Sequence, residues 1–125
     1  MTENELSTII IGCAIKVHTE LGAGLLESVY KECLFYELQE AGLHVQKEVE
    51  MPLVYKDIVF ERAYRLDLWV ENKVIIEVKA VVDMHTVFQY QLHTYLKLCD
   101  NKLGLILNFN VPKMKGGVQR VANGM

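Results

Sequence analysis

Asp67, Glu77 and Lys79 stand inside two otherwise apolar runs, YRLDLWV (residues 64–70) and VIIEVKA (residues 74–80). Charges embedded in a core-like strand need a partner, because burying an unpaired charge is costly. Two carboxylates brought close together repel each other unless a cation sits between them. Hard oxygen donors at such spacing suit Mg²⁺ or Mn²⁺, which keep several waters. A lysine beside them is a fixed cation. In phosphate chemistry it can orient or deprotonate a water and stabilise developing charge.

A hairpin brings these groups together. If Val70 faces Val74 across the turn Glu71-Asn72-Lys73, Asp67 lies opposite Glu77 and Arg65 opposite Lys79. Side chains alternate between faces along a strand. This register gathers Leu66, Leu68, Val70, Val74, Ile76 and Val78 on one face, with Arg65, Asp67, Trp69, Ile75, Glu77 and Lys79 on the other. A turn of only Glu71-Asn72 would set Asp67 against Ile76 and mix the faces, so the pattern selects the longer turn. Directly opposed Cβ atoms are then about 5 Å apart. Two accounts fit this face: a metal-binding carboxylate pair, or two cross-strand ion pairs in solvent.

Two further elements carry polar groups at useful spacing. Glu27 follows the break made by Gly22 and Gly24, at the start of a helix whose dipole favours a carboxylate. Gln91 and Tyr95 are four apart and share a helix face. The histidines His18, His44, His85 and His93 share no ligand spacing, and Trp69 reads as a packing residue. Cys13, Cys33 and Cys99 are far apart with no CxxC, which points to free thiols rather than disulfides or zinc.

The elements that position these groups follow from periodicity. Apolar residues at 6, 9, 10, 13, 14 and 17 predict a helix over 5–20, and LGAG breaks it. A second helix is expected from Leu25 to Ala41, ended by Gly42. From Val45 the period becomes two. One strand is interrupted near Pro52, Lys56-Asp57 turns the chain, and strands follow over 59–70 and 73–80. A helix from Met84 to Leu98 has the apolar stripe Phe88, Leu92, Leu96 and Cys99. LGLILNF is a last apolar strand, and 112–125 is mostly loop with a short strand at Val118–Val121. The order is helix, helix, three-stranded antiparallel meander, helix, strand, which is an α/β (α+β) domain over residues 1–125.

The length of 125 residues suits one domain, and 51% hydrophobic with 23% charged content is ordinary for a folded chain. No apolar run approaches the roughly 18 residues needed to cross a bilayer. The acidic start MTENELST lacks the layout of a signal peptide, which points to the cytoplasm. Net charge is −3, unevenly spread. Residues 101–125 carry Lys102, Lys113, Lys115 and Arg120 and no acid, while residues 1–100 hold 9 bases and 16 acids. A basic C-terminal end can meet phosphates or simply be a solvated tail.

The segment GLLESVY (Gly24, Glu27, Tyr30), followed in order by YRLDLWV, VIIEVKA and QLHTYL, resembles the signature of the GxxExxY protein family. That family is grouped with the PD-(D/E)xK nuclease-like superfamily, and the resemblance runs from Ile9 to Val121. It implies a restriction-endonuclease-like core. By position, Asp67 and Glu77 resemble the metal ligands, with the carbonyl of Val78 as a further donor. Lys79 resembles the catalytic lysine, Glu27 the acid of the first helix, and Gln91 with Tyr95 the QxxxY element. The proline of the superfamily name is absent, since Leu66 precedes Asp67. The resemblance implies a Mg²⁺- or Mn²⁺-dependent phosphodiesterase acting on DNA or RNA. The alternatives are a catalytically silent module that binds nucleic acid or protein, and a structural dimer with an ion-pair face. A chain this small has little surface to grip a duplex alone, so a homodimer is expected.

Overall fold

The computed structural model describes residues 1–125. Helix α1 spans Glu3–Leu21, starting slightly earlier than its periodicity predicts because Thr2 and Glu5 form a reciprocal cap. Gly22 ends it at φ 74°. Helix α2 spans Glu27–Glu40. Strands β1 (Val45–Tyr55), β2 (Ile58–Val70) and β3 (Val74–Lys79) form the expected antiparallel meander. Helix α3 (Thr86–Cys99) crosses over and returns the chain as β4 (Leu103–Asn108), parallel to β3. A short 3₁₀ turn at Met114–Gly117 precedes β5 (Val118–Ala122), antiparallel to β4. The sheet order is β1-β2-β3-β4-β5.

Helices cover both faces of this sheet. The larger core joins Leu6, Ile10 and Ala14 of α1 and Tyr30, Leu34 and Leu38 of α2 to Leu68, Val74, Ile76, Val78 and Leu105. On the opposite face Leu92 and Leu96 of α3 meet Leu66, Ile75 and Ile106. β3 and β4 are therefore buried on both faces, as their continuous apolar runs require. Gly104 lets α3 sit close, because a Cβ there would lie 2.8 Å from the Leu92 side chain. No helix is long and apolar enough to cross a membrane.

The faces of β2 differ from the simple alternation. Leu66 and Leu68 are two apart, yet Leu66 packs under α3 and Leu68 under α1 and α2. The same switch occurs in β1, where Lys47 reaches Glu32 on α2 while Val49 packs beneath α3. Between them Glu48 adopts φ 52°, and the rung joining Glu48 to Asp67 is missing from the ladder. Both strands roll together at this point, as a bulge-like irregularity does. Alternation assumes a continuous pleat, so it placed Leu66 on the wrong face.

Pro52 does not interrupt β1. It produces a register shift between Met51 and Leu53 within one continuous strand. Beyond it the β1–β2 hairpin extends past β3 as an arm. Val54, Tyr55, Ile58, Val59 and Phe60 are exposed at its end.

Candidate active site

The hairpin register at the turn is the one that the apolar pattern selects: Val70 pairs with Val74, Trp69 with Ile75 and Leu68 with Ile76. There the backbone ladder stops. The two carboxylates continue it with side-chain hydrogen bonds. The backbone N–H of Asp67 donates to Glu77 Oε2 at 3.0 Å, and the backbone N–H of Val78 donates to Asp67 Oδ2 at 2.9 Å. Each acid thus binds the other's strand. The rung between Arg65 and Lys79 does not form. Arg65 keeps only its rung to Glu50 on β1, and Lys79 only its rung to Asn108 on β4. Neither of the two expected cross-strand ion pairs exists.

Both acids are buried, Asp67 at 8% and Glu77 at 5% relative exposure. Burial pushes the Glu77 carboxyl up to about 8, and the charges of Asp67 and Glu27 push the same way. The Asp67 N–H and Lys79 oppose this. Glu27, on the rim, is also raised, chiefly by burial. Lys79 and Lys31 pull it down and Asp67 pushes it up. The Tyr95 hydroxyl is raised by burial and then by the charges of Glu77 and Asp67.

The loop between α1 and α2 sets the position of Glu27. Gly24 takes φ 96°, a conformation that favours glycine. The Tyr30 hydroxyl donates to Gly22 O at 2.6 Å and accepts the Leu25 N–H at 3.1 Å, closing the loop from below. Its ring stacks on Phe109 at 4.6 Å. Gly24 and Tyr30 therefore act on one loop, and that loop delivers Glu27 as the first residue of α2. Lys79 lies at the end of β3 with its Nζ 4.4 Å from the Phe88 ring centroid. Gln91 is exposed, with its side chain hydrogen-bonded to nothing in the chain, one turn before Tyr95. Val78 directs its side chain into the larger core, while its N–H orients Asp67.

Two residues of this site stand outside the sequence reading. Lys31 is buried at 7% exposure, with its Nζ 3.7 Å from Asp67 Oδ1 and 3.2 Å from Glu48 Oε1. Its signal was present: Lys31 is four residues beyond Glu27 and so follows it on one helix face. Asn108 is buried at 2%. Its amide accepts from the Val81 N–H at 3.1 Å and donates to Val81 O at 3.0 Å, imitating a backbone group. With the Phe109 N–H donating to Lys79 O at 2.9 Å, it ties down the chain on the far side of Lys79. A lone amide in LGLILNF was its signal.

The donor set fits a small hard cation. Asp67 and Glu77 bring two buried acids together, and the Lys31 ammonium beside Asp67 is shared with Glu48. Glu77 Oε1 has no hydrogen-bond donor in the protein, and Asp67 Oδ1 has only the Lys31 ammonium. No three acid, imidazole or thiol groups close into a ready cage. Two carboxylates with open positions match the preference of Mg²⁺ for water and phosphate oxygens over an all-protein shell.

No curated protein and no solved structure matched the chain. A family model described as the PD-(D/E)XK nuclease superfamily matched residues 4–121. That span contains the five strands and three helices to within a residue, and every residue of the carboxylate site. With the layered fold and the interlocked Asp67–Glu77 pair in place, the match over nearly the whole chain has one meaning: this protein belongs to the PD-(D/E)XK nuclease superfamily.

Proposed function

We propose that the chain is a Mg²⁺- or Mn²⁺-dependent nuclease hydrolysing phosphodiester bonds in DNA or RNA. The observation that carries this reading is the pair of buried, interlocked carboxylates, with Glu77 Oε1 free of any protein donor and Asp67 Oδ1 facing only an ammonium that Glu48 shares. Nucleases of this superfamily generally use a divalent metal, which supplies Lewis acidity toward the phosphate and a more acidic bound water. Asp67 Oδ1, Glu77 Oε1 and the Val78 carbonyl would hold it. Glu27 contributes from the rim, directly or through water. Lys79 orients the attacking water or balances charge on the phosphorus oxygens. Gln91, one turn from Tyr95, takes a positioning role toward the phosphate.

The test is incubation of labelled DNA and RNA with the protein in Mn²⁺ or Mg²⁺, beside Glu77→Ala and Lys79→Ala. Cleavage that chelation and both substitutions abolish is expected. A purified activity untouched by either substitution would sink the assignment.

Lys31 favours a second reading. Its ammonium already neutralises part of Asp67, as a metal would. On that reading the protein is a catalytically silent module of the same fold that binds nucleic acid or protein. Oligonucleotide binding that needs no metal and ignores Glu77→Gln, without cleavage, would select it.

We further infer a homodimer in the cytoplasm. The exposed apolar arm end, Val54, Tyr55, Ile58, Val59 and Phe60, supplies surface suited to a second copy. The three unpaired cysteines fit a reducing compartment. Sedimentation showing only monomer at micromolar concentration would remove the dimer.

A further inference from the structure

A concave feature borders Gly22, where the loop leading from α1 to Glu27 begins. It is a cleft of about 550 Å³ between the last turns of α1 and the segment after β4. Ile15, His18, Thr19 and Gly22 form one wall, and Lys113, Met114 and Lys115 the other. No acid lines it. Neither Lys113 nor Lys115 forms an ion pair within the chain. Both belong to the acid-free segment 101–125, the one strongly basic stretch of an otherwise acidic chain.

The lysine wall is built rather than loose. His18 and the Val111 carbonyl are 2.8 Å apart, so the imidazole Nε2–H donates to that oxygen and pins the segment to α1. Met114, between the two lysines, is buried at 3% exposure in the larger core. Gly117 lies so close to β4 that a Cβ there would meet Asn108 O at 2.0 Å. Three anchors thus hold a short segment that presents two ammonium groups. Preorganised cations bind an anion at less entropic cost than free side chains.

The cleft and the carboxylate site share structural parts. Gly22 lines the cleft and accepts from the Tyr30 hydroxyl. Tyr30 stacks on Phe109, whose N–H donates to Lys79 O. The loop that delivers Glu27 therefore starts at the basic cleft. Around Asp67 and Glu77 a polyanion finds only Lys31, already paired with Asp67 and Glu48, and Lys79, so further affinity must come from elsewhere.

We propose that the cleft of His18, Thr19, Lys113 and Lys115 is a phosphate subsite, holding a backbone phosphate of the same nucleic-acid strand that reaches Asp67 and Glu77. The location of the reacting phosphodiester rests on the nuclease reading above. The phosphate subsite itself does not need catalysis. Lys113 and Lys115 supply charge, and the Thr19 hydroxyl, which has no partner in the chain, supplies a neutral donor.

The test is fluorescence anisotropy with short labelled single-stranded DNA and RNA, in EDTA so that no metal contributes. The Lys113→Gln/Lys115→Gln variant is compared with wild type and with Lys56→Gln/Lys97→Gln, which loses the same charge away from the cleft. At about 50 mM salt the cleft variant should bind roughly tenfold more weakly, and its log–log salt slope should fall by about 1.4 for two lost contacts. The control variant should change little by comparison. Equal weakening in both double variants, or no binding by wild type, would overturn the subsite. The two proposals fail separately. If wild type never cleaves yet the cleft variant alone loses affinity, the nuclease reading falls and the subsite stands. If wild type cleaves and the cleft variant binds and cleaves like it, the subsite falls and the nuclease reading stands.

Discussion

Asp67 and Glu77 hold each other's strands: the Asp67 N–H donates to the Glu77 carboxylate, and the Asp67 carboxylate accepts the N–H of Val78. Two carboxyl groups are thereby fixed side by side in a buried setting at the point where the β2–β3 ladder ends. Such a pair is stable with a shared proton, a neighbouring cation or a bound metal.

Metal binding should depend on this pair. Titration calorimetry with Mn²⁺ is expected to give measurable binding for wild type and at least roughly tenfold weaker binding for Asp67→Asn. The asparagine can still accept from Val78, so the fold should persist. Equal affinity in both proteins would place the metal elsewhere.

Stability without metal should fall as pH rises. Glu77 is raised from 4.5 to about 8, so between those values the folded chain keeps a proton that the unfolded chain releases. The folded state binds more protons there, and its contribution to stability declines through that window. Thermal midpoints in EDTA should drop between pH 5 and pH 8 for wild type, and less for Glu77→Gln. A rise over that range in wild type alone would contradict the burial account.

Lys31 should act as the resident counter-ion. Lys31→Met leaves Asp67 and Glu77 with no nearby ammonium except Lys79. A broken buried pair costs about 3–5 kcal/mol, but solvent around Glu48 reduces this to roughly 1–3 kcal/mol. Saturating Mn²⁺ should restore most of the loss, which denaturation with and without metal would reveal. A deficit of equal size in both conditions would point to lost packing instead.

Tyr30→Phe removes the hydroxyl that closes the 22–25 loop and keeps the ring on Phe109. The Gly22 carbonyl and the Leu25 N–H lose their partner, at about 1–3 kcal/mol together. Urea unfolding gives this value. If Glu27 takes part in the chemistry, cleavage should fall as well, since its loop loosens.

Much of the site was legible because charged residues broke apolar patterns. Asp67, Glu77 and Lys79 are anomalies in runs that otherwise read as core, and the turn register followed from keeping faces unmixed. Asn108 breaks its run in the same way, but an amide raises less suspicion than a charge. Lys31 was hidden because a lysine on a helix usually reads as solvated, and its burial depends on how α2 crosses β2. The roll at Glu48 and Asp67 was also out of reach. Alternation is a local rule, whereas the roll arises where two strands pass from beneath one helical layer to beneath the other. Pro52 shows the opposite error: a strong local breaker was absorbed by a register shift inside a long hairpin.

The interlock of the two carboxylates has a consequence for how the site can be observed. The amides of Asp67 and Val78 are protected by side-chain oxygens rather than by a strand partner. Their hydrogen-exchange rates therefore respond to anything that changes those oxygens. Two backbone positions become native isotopic reporters of the centre, readable residue by residue without a substrate, a label or a turnover assay.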